Sequence, residues 1–182
     1  MLGIESSFND TSAAVVRGTG EILSNQVATW TDKYRLESAP SRAEDHHKLN
    51  LPLVVEAALA ESGKVMSQFK CIAVTQGPGQ IKSLKVGLDF AQALGLKFNL
   101  PVVPVNHIEA HVMTPRMLPQ LQSQADFPYL AVLATGAHTE IVLTRGVGLH
   151  TIMGFSIDIG IGTFLDQIAN EIGQRKDILG DK

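Results

Sequence analysis

The sequence predicts an α/β protein of two lobes, the second opening with the same pattern as the first. The pattern is strand, polar turn, strand, Gly-x-Gly turn, strand. It runs through residues 2–7, 8–11, 12–17, 18–20 and 21–31. It recurs through residues 129–134, 135–138, 139–145, 146–148 and 149–154. Apolar alternation bounded by turn residues makes each copy a three-stranded meander. Self-similarity of this kind marks an internal repeat. Residues 118–128, rich in Gln with a proline towards each end (Pro119 and Pro128), read as a linker between the copies. The expected organisation is a first lobe at 1–117, a linker at 118–128, the start of a second lobe at 129–173 and a charged tail at 174–182. The second lobe is expected to be incomplete.

Between the two meanders the elements follow in order. Residues 32–40 read as loop. Ser41 and Glu44 stand three apart, as the N-cap and N3 residues of a capping box. The helix they open runs to about Ser62, and Gly63 suits the C′ position. The apolar run at 71–75 is a buried strand. Gly77, Pro78 and Gly79 form a tight loop, followed by a helix over 82–98. A strand at 102–105 leads into a helix carrying His107 and His111, and a last helix covers 163–172.

The chain has 182 residues, 45% of them hydrophobic and 18% charged, enough for a sizeable core. A net charge of −3 gives no overall electrostatic footprint for nucleic acid, so RNA binding requires a local patch. The single cysteine, Cys71, lies in a strand pattern and has no internal disulfide partner, which points to a reducing compartment. No stretch approaches the ~20 apolar residues of a membrane span. The start at Leu2-Gly3-Ile4 shows no leader pattern, so a targeting segment is either absent or outside this sequence.

The most specific chemical signal is Asn106-His107-Ile108-Glu109-Ala110-His111. Residues i and i+4 of a helix lie within about 40° of each other, so two imidazoles share a face and can clamp a divalent metal. In zincin peptidases the glutamate directly follows the first histidine and acts as general base. Glu109 sits two residues on, roughly 200° around the helix, which argues against peptidase chemistry. The two hairpin turns, Ser7 to Thr11 and Thr135 to Thr139, present small residues and backbone amides suited to an anion. Gly77 to Ser83 lacks the Gly before Lys82 that a Walker A loop needs; a loop beside the active cleft and a plain connector remain open. His46 and His47 are adjacent on a helix and diverge by about 100°, so they read as surface or packing residues rather than a metal pair. Asp166 fits either a ribose or amine contact or a solvated carboxylate.

Five segments together resemble the tRNA threonylcarbamoyladenosine synthases, once described as O-sialoglycoprotein endopeptidases. They are GIESSFNDT at 3–11, VTQGPGQIKSLKVGL at 74–88, VNHIEAH at 105–111, ATGAHTE at 134–140 and SIDIGIGTFLDQIA at 156–169. The resemblance implies an actin/hexokinase/Hsp70-like (ribonuclease H-like) fold of duplicated lobes. It implies transfer of a threonylcarbamoyl group from threonylcarbamoyl-AMP to N6 of adenosine 37 in tRNAs reading ANN codons. Carried over, His107 and His111 are ligands of one divalent metal ion, iron or zinc. Leu133, Ala134, Thr135, Gly136, Ala137 and Asp166 contact the adenylate, with Ser7, Asn9, Asp10 and Thr11 as first-lobe contacts. A Lewis acid that polarises the carbamoyl carbonyl, with AMP leaving, requires no protein nucleophile. The implied partners are the adenylate and tRNA, with no membrane, and either a second copy or other tRNA-modification subunits.

The sequence departs from the family pattern in places. The family's third ligand, an aspartate, lies far into a C-terminal half that this sequence does not include. Ala137 stands where the family has a second Gly in its phosphate turn, and Thr163 where an acidic residue is common. The form SIDIGIGTFLDQ is similar to the eukaryotic, mitochondrial members, which implies a mitochondrial location, with the cytoplasm as alternative. The expected reading is therefore a shortened form of the transferase. A non-catalytic scaffold of the same pathway is the alternative, and a metallopeptidase stands behind both.

Overall fold

The computed structural model describes residues 1–30, 40–118, 121, 125–136 and 138–172. They fall in two compact units, Met1–Ile108 and Glu109–Lys182. In the first unit, strands β1 (Leu2–Glu5), β2 (Thr11–Val16) and β3 (Ile22–Ala28) form the expected antiparallel meander. Helix α1 (Pro40–Ser62), strand β4 (Ile72–Gly77), helix α2 (Ile81–Phe98) and strand β5 (Val102–Asn106) follow. The sheet order is β3-β2-β1-β4-β5. β1, the first strand of the meander, thus pairs with β2 on one side and, in parallel, with β4 on the other.

The core follows from two periodicities. Leu2 and Ile4 of β1 and Ala13 and Val15 of β2 are buried at alternate positions. Leu51, Val54, Val55 and Ala58 recur at helical spacing on α1 and are buried with them. Ile72 and Val74 of β4 and Ala91 of α2 complete the cluster. Close approach of α2 depends on Gly87, where a Cβ would stand 2.3 Å from the Ser6 hydroxyl oxygen. The same hydroxyl donates to the Ser83 carbonyl at 2.9 Å. Helix α1 begins at Pro40, so Ser41 is a helix residue rather than the cap before it; the preceding residues lie outside those described. A first-turn proline needs no amide partner, which accounts for the earlier start. Glu44 pairs with Lys48 at 2.7 Å instead of closing a capping box. Gly63 takes φ +62, as the C′ position requires.

Helix α3 (His107–Met113) straddles the division between the units, which falls at Ile108/Glu109. The described part of the expected linker at 118–128 is packed within the second unit. The Arg116 guanidinium lies 4.1 Å from the centre of the Phe127 ring and donates to the Ala125 carbonyl, and Phe127 stacks on Tyr129 at 5.7 Å. Composition marked this stretch as loop, but an Arg stem and two aromatic rings give it something to pack.

The second unit continues with β6 (Tyr129–Ala134), β7 (Thr139–Gly146) and β8 (Leu149–Phe155), a three-stranded antiparallel sheet in the order β6-β7-β8. Helix α4 (Ile161–Glu171) follows. Helix α3 is held to the sheet face that carries Tyr129, Thr144 and His150, cross-strand neighbours in the register. The Tyr129 hydroxyl donates to the Val112 carbonyl at 2.7 Å, and Val112 and Thr144 are fully buried. The opposite face carries Leu130 and Val132, which remain exposed. The tail at 174–182 and Ala137 lie outside the described residues.

Candidate functional site

In the first unit the turn between β1 and β2 is a rigid assembly. The Glu5 carboxylate accepts from the Ser7 amide at 2.6 Å. His47 reaches up from α1, wholly buried, and spans the turn from below. Its Nε2 lies 2.9 Å from the Phe8 carbonyl and its Nδ1 2.7 Å from the Thr11 hydroxyl. A carbonyl can only accept, so Nε2 carries the proton and Nδ1 accepts from Thr11. Burial holds the His47 pKa below its ordinary value, which keeps this neutral tautomer in place. Neighbouring His46 stacks on Trp30 at 6.1 Å. The packing reading thus holds for both, but the sequence pattern did not reveal that His47 supports the turn.

Of the first-lobe candidates, Ser7, Asn9 and Thr11 are buried and Asp10 is exposed. The Asp10 carboxylate receives the Trp30 amide at 3.4 Å. The Asn9 Oδ1 is buried with no hydrogen-bond partner among the described residues. The loop at 77–79 closes over the same turn. The Gln80 amide donates to the Ser7 carbonyl at 2.8 Å, and a Cβ on Gly79 would stand 2.6 Å from that carbonyl oxygen. This contact explains the glycine and places the loop beside the turn.

His107 and His111 both lie on α3, four residues apart, as the spacing predicts. His107 is partly buried, with its Nδ1 3.8 Å from the Glu5 carboxylate. Glu5, at the end of β1, carried no signal in the sequence beyond its place in a motif. Among the described residues no three His, Cys, Asp or Glu side chains come together as a metal-holding group. The residues present offer two imidazoles four apart on one helix, a donor set that suits a first-row divalent metal but needs further ligands.

Glu109 is committed elsewhere. Its Oε1 accepts from the Gly148 amide at 2.8 Å and lies 3.0 Å from the His150 Nε2. The bond to His150, then that to Gly148, holds its carboxyl below the usual range. A carboxylate engaged in this way ties α3 to the β7–β8 turn and to His150.

In the second unit the turn after β6 closes on itself and on α4. The Thr135 hydroxyl accepts from the His138 amide at 3.0 Å, and its own amide donates to the His138 carbonyl at 2.9 Å. Ile161 and Gly162 donate their amides to the Thr139 hydroxyl at 2.7 Å and the Thr135 carbonyl at 3.1 Å. Thr163, the departure from an acidic residue, donates its hydroxyl to the Gly136 carbonyl at 2.7 Å. A Cβ on Gly162 would stand 2.8 Å from the Gly136 backbone, so the helix seats directly on the turn. Asp166 lies one turn further along the same face as Gly162. Leu133, Ala134, Thr135 and Gly136 thus lie at the end of the second unit where the start of α4 meets the turn. Glu140, cross-strand from Leu133, has a buried Oε2 with no partner among the described residues, and sequence reasoning passed over it.

These motifs can be set beside known proteins. A family model described as tRNA N6-adenosine threonylcarbamoyltransferase (TsaD) matches residues 21–178. The chain belongs to the TsaD family. A TsaD protein of Bradyrhizobium sp. is 39% identical over 179 residues, covering 95% of this chain and 49% of that protein. One from Bacillus subtilis is 35% identical over 175 residues, again 95% of this chain and 49% of that protein. A probable mitochondrial member from Arabidopsis thaliana is 37% identical over 175 residues, 95% of this chain and 36% of that protein. The chain therefore spans half or less of the length of these TsaD relatives, corresponding to their N-terminal portion. Among solved structures, YeaZ from Pseudomonas aeruginosa superposes with a TM-score of 0.54 at 18% identity, over 88% of this chain and 66% of that one. That likeness confirms the actin/hexokinase/Hsp70-like fold of the TsaD chain. No helix among its described residues is long and apolar enough to cross a membrane.

Proposed function

We propose that this chain supplies the N-terminal part of an enzyme transferring threonylcarbamoyl from threonylcarbamoyl-AMP to N6 of adenosine 37 in tRNA. The observation that supports the reading is the turn after β6, where Thr135 and Gly136 are bonded to the start of α4, with Asp166 one helical turn further along. Its backbone amides at His138, Ile161 and Gly162 are already bonded. The turn therefore meets a nucleotide through its small residues, Gly136 foremost, and through Asp166 as acceptor for ribose or base donors. Ser7, Asn9, Asp10 and Thr11 form the first-unit contribution, where the unpartnered Asn9 oxygen accepts one ligand donor. His107 and His111 supply two nitrogen donors to a divalent ion, iron or zinc, which when bound polarises the carbamoyl carbonyl. The Glu5 carboxylate, 3.8 Å from the His107 Nδ1, is the neighbouring acceptor for that ring. The tRNA and further modification subunits, or a second copy, are the partners that this reading requires. Mitochondrial residence is supported by the Arabidopsis relative's printed name.

Two measurements test the reading. Metal analysis of purified protein should show a divalent ion that the His107→Ala/His111→Ala double variant loses; equal retention would remove both histidines from the site. Calorimetric titration with AMP should show binding that Asp166→Ala weakens by about tenfold, the scale of one lost charged hydrogen bond. No difference between parent and variant would take Asp166 out of the nucleotide site.

A further inference from the structure

Helix α3 is too short to hold its own geometry. It has seven residues, and isolated helices below roughly 12 residues are marginal in water. Its direction and roll are therefore set by what it touches. Val112 is fully buried, and its carbonyl receives the Tyr129 hydroxyl at 2.7 Å. Glu109 is gripped through its side chain. The Gly148 amide donates to Oε1 at 2.8 Å, and the His150 Nε2 lies 3.0 Å from the same oxygen.

The grip is a chain of hydrogen bonds that runs in one direction. An ionised carboxylate only accepts, so the neutral His150 ring carries its proton on Nε2. Its Nδ1 then accepts from the Thr144 hydroxyl at 3.2 Å, and Thr144 is fully buried in β7. The helix is thus tied through Glu109 and His150 to the centre of the sheet.

Glu109 stands midway between His107 and His111 in sequence and on the other side of the helix. At roughly 100° per residue, Glu109 and Val112 are centred about 150° away from the two histidines. His111 is accordingly exposed. Whatever fixes the roll of Glu109 therefore fixes where the imidazoles point.

We propose that Glu109 and His150 are positioning residues for the histidine pair. They lock the roll of α3 so that His107 and His111 present ring nitrogens to one divalent ion, which neither Glu109 nor His150 touches. The inference rests on the metal reading of His107 and His111 given above. Its physical basis is preorganisation: a helix free to roll or fray loses binding free energy to the ordering of both rings, and a held helix does not. Both contacts fall on Oε1, so an amide oxygen in the same place serves as well. The role depends on position rather than on charge.

Zinc affinity of residues 1–182 is measured by calorimetric titration. His107→Ala/His111→Ala should abolish the signal. Glu109→Ala and His150→Ala should each weaken zinc binding by about tenfold, the scale of lost outer-shell support. The two together should be no weaker than Glu109→Ala alone, because both break one link. Glu109→Gln keeps an acceptor oxygen for Gly148 and His150 and should bind zinc as the parent does. Val147→Ala, in the exposed part of the same turn, should also match the parent. Exchange protection of Val142 and Thr144 shows that the sheet is intact in each variant. Should His150→Ala disturb β8, Glu109→Ala decides, since it leaves the sheet residues unchanged. Parent-like affinity in Glu109→Ala and His150→Ala overturns the proposal and leaves the metal reading standing. Glu109→Gln as weak as Glu109→Ala overturns it too, because charge would then be at work. Equal zinc binding by the parent and the double histidine variant, or none by the parent, removes the metal reading and this proposal with it.

Discussion

The two sheets open with the same meander and meet different fates. In the first unit β1 lies inside a five-stranded sheet, and the apolar stripe of α1 is spent against it: Leu2, Ile4, Leu51 and Ala58 are all buried. In the second unit β6 stays at an edge, Leu130 and Val132 face solvent, and α4 keeps Phe164 and Ile172 at least half exposed. In the first, β1 has a strand on either side and a covering helix; in the second, among the described residues, β6 has one neighbour, α3 covers the face carrying Thr144, and α4 meets the turn through Gly162 and Thr163. A local pattern can build a meander anywhere, but burial of its faces needs later elements.

The largest effect is expected on function. In a cell lacking its own synthase, residues 1–182 alone should leave tRNA adenosine 37 without threonylcarbamoyl, as read by mass spectrometry. A substrate contact held by a half-covered unit is poorly positioned, and small misplacement costs on the order of a hundredfold in rate. Full modification would mean that the bare second unit is as competent as the covered first.

Stability should follow the same contrast. Leu51→Ala, at a fully buried α1 position, should destabilise the first unit by about 2–5 kcal/mol, whereas Val132→Ala should change stability by no more than about 0.5 kcal/mol. Trp30 is the single tryptophan and stacks on His46, so its fluorescence reports denaturation of the first unit, and exchange of β6 amides reports the second. Comparable losses at both positions would show that Val132 is covered in solution.

Gly162→Ala should disturb the second-unit turn, because the new Cβ meets the Gly136 backbone at 2.8 Å, where no flexible side chain can give way. A cost of about 1–3 kcal/mol is expected, with weaker AMP binding and unchanged Trp30 fluorescence. A disturbance that reached Trp30 would mean that the units do not respond separately.

The smallest effect is a pH dependence confined to the first unit. His47 has a folded pKa below its ordinary value of 6.5, so its contribution is present above that value. As pH falls from about 7 towards 5, the unfolded chain takes up the proton first and stability declines. His46, Glu5 and Asp10 surround it and modulate the effect. The Trp30-monitored midpoint of the parent should fall over this range, and that of His47→Gln should fall less. Equal slopes would remove His47 as the titrating group.

Residue pattern alone determined a good deal. Alternation and turn residues placed all three strands of each meander, helical spacing placed α1 and α2, and the i, i+4 histidines fell on one helix as expected. These are local properties, set by the 2.0 and 3.6 residue periods of strand and helix. Four of the five family motifs lie within residues 21–178, which a family model matches, and they identified the family more specifically than any single side chain could. What the sequence did not show were contacts made across long chain separations. His47 beneath the turn at Thr11, Gly79 against Ser7, Glu109 bound to Gly148 and His150, and Thr163 on Gly136 each join residues distant in sequence. The division of the molecule at Ile108/Glu109 is of the same kind. No periodicity encodes which surface a side chain will meet; that is decided only when sheets and helices pack, because hydrogen bonding and burial depend on the partner brought near.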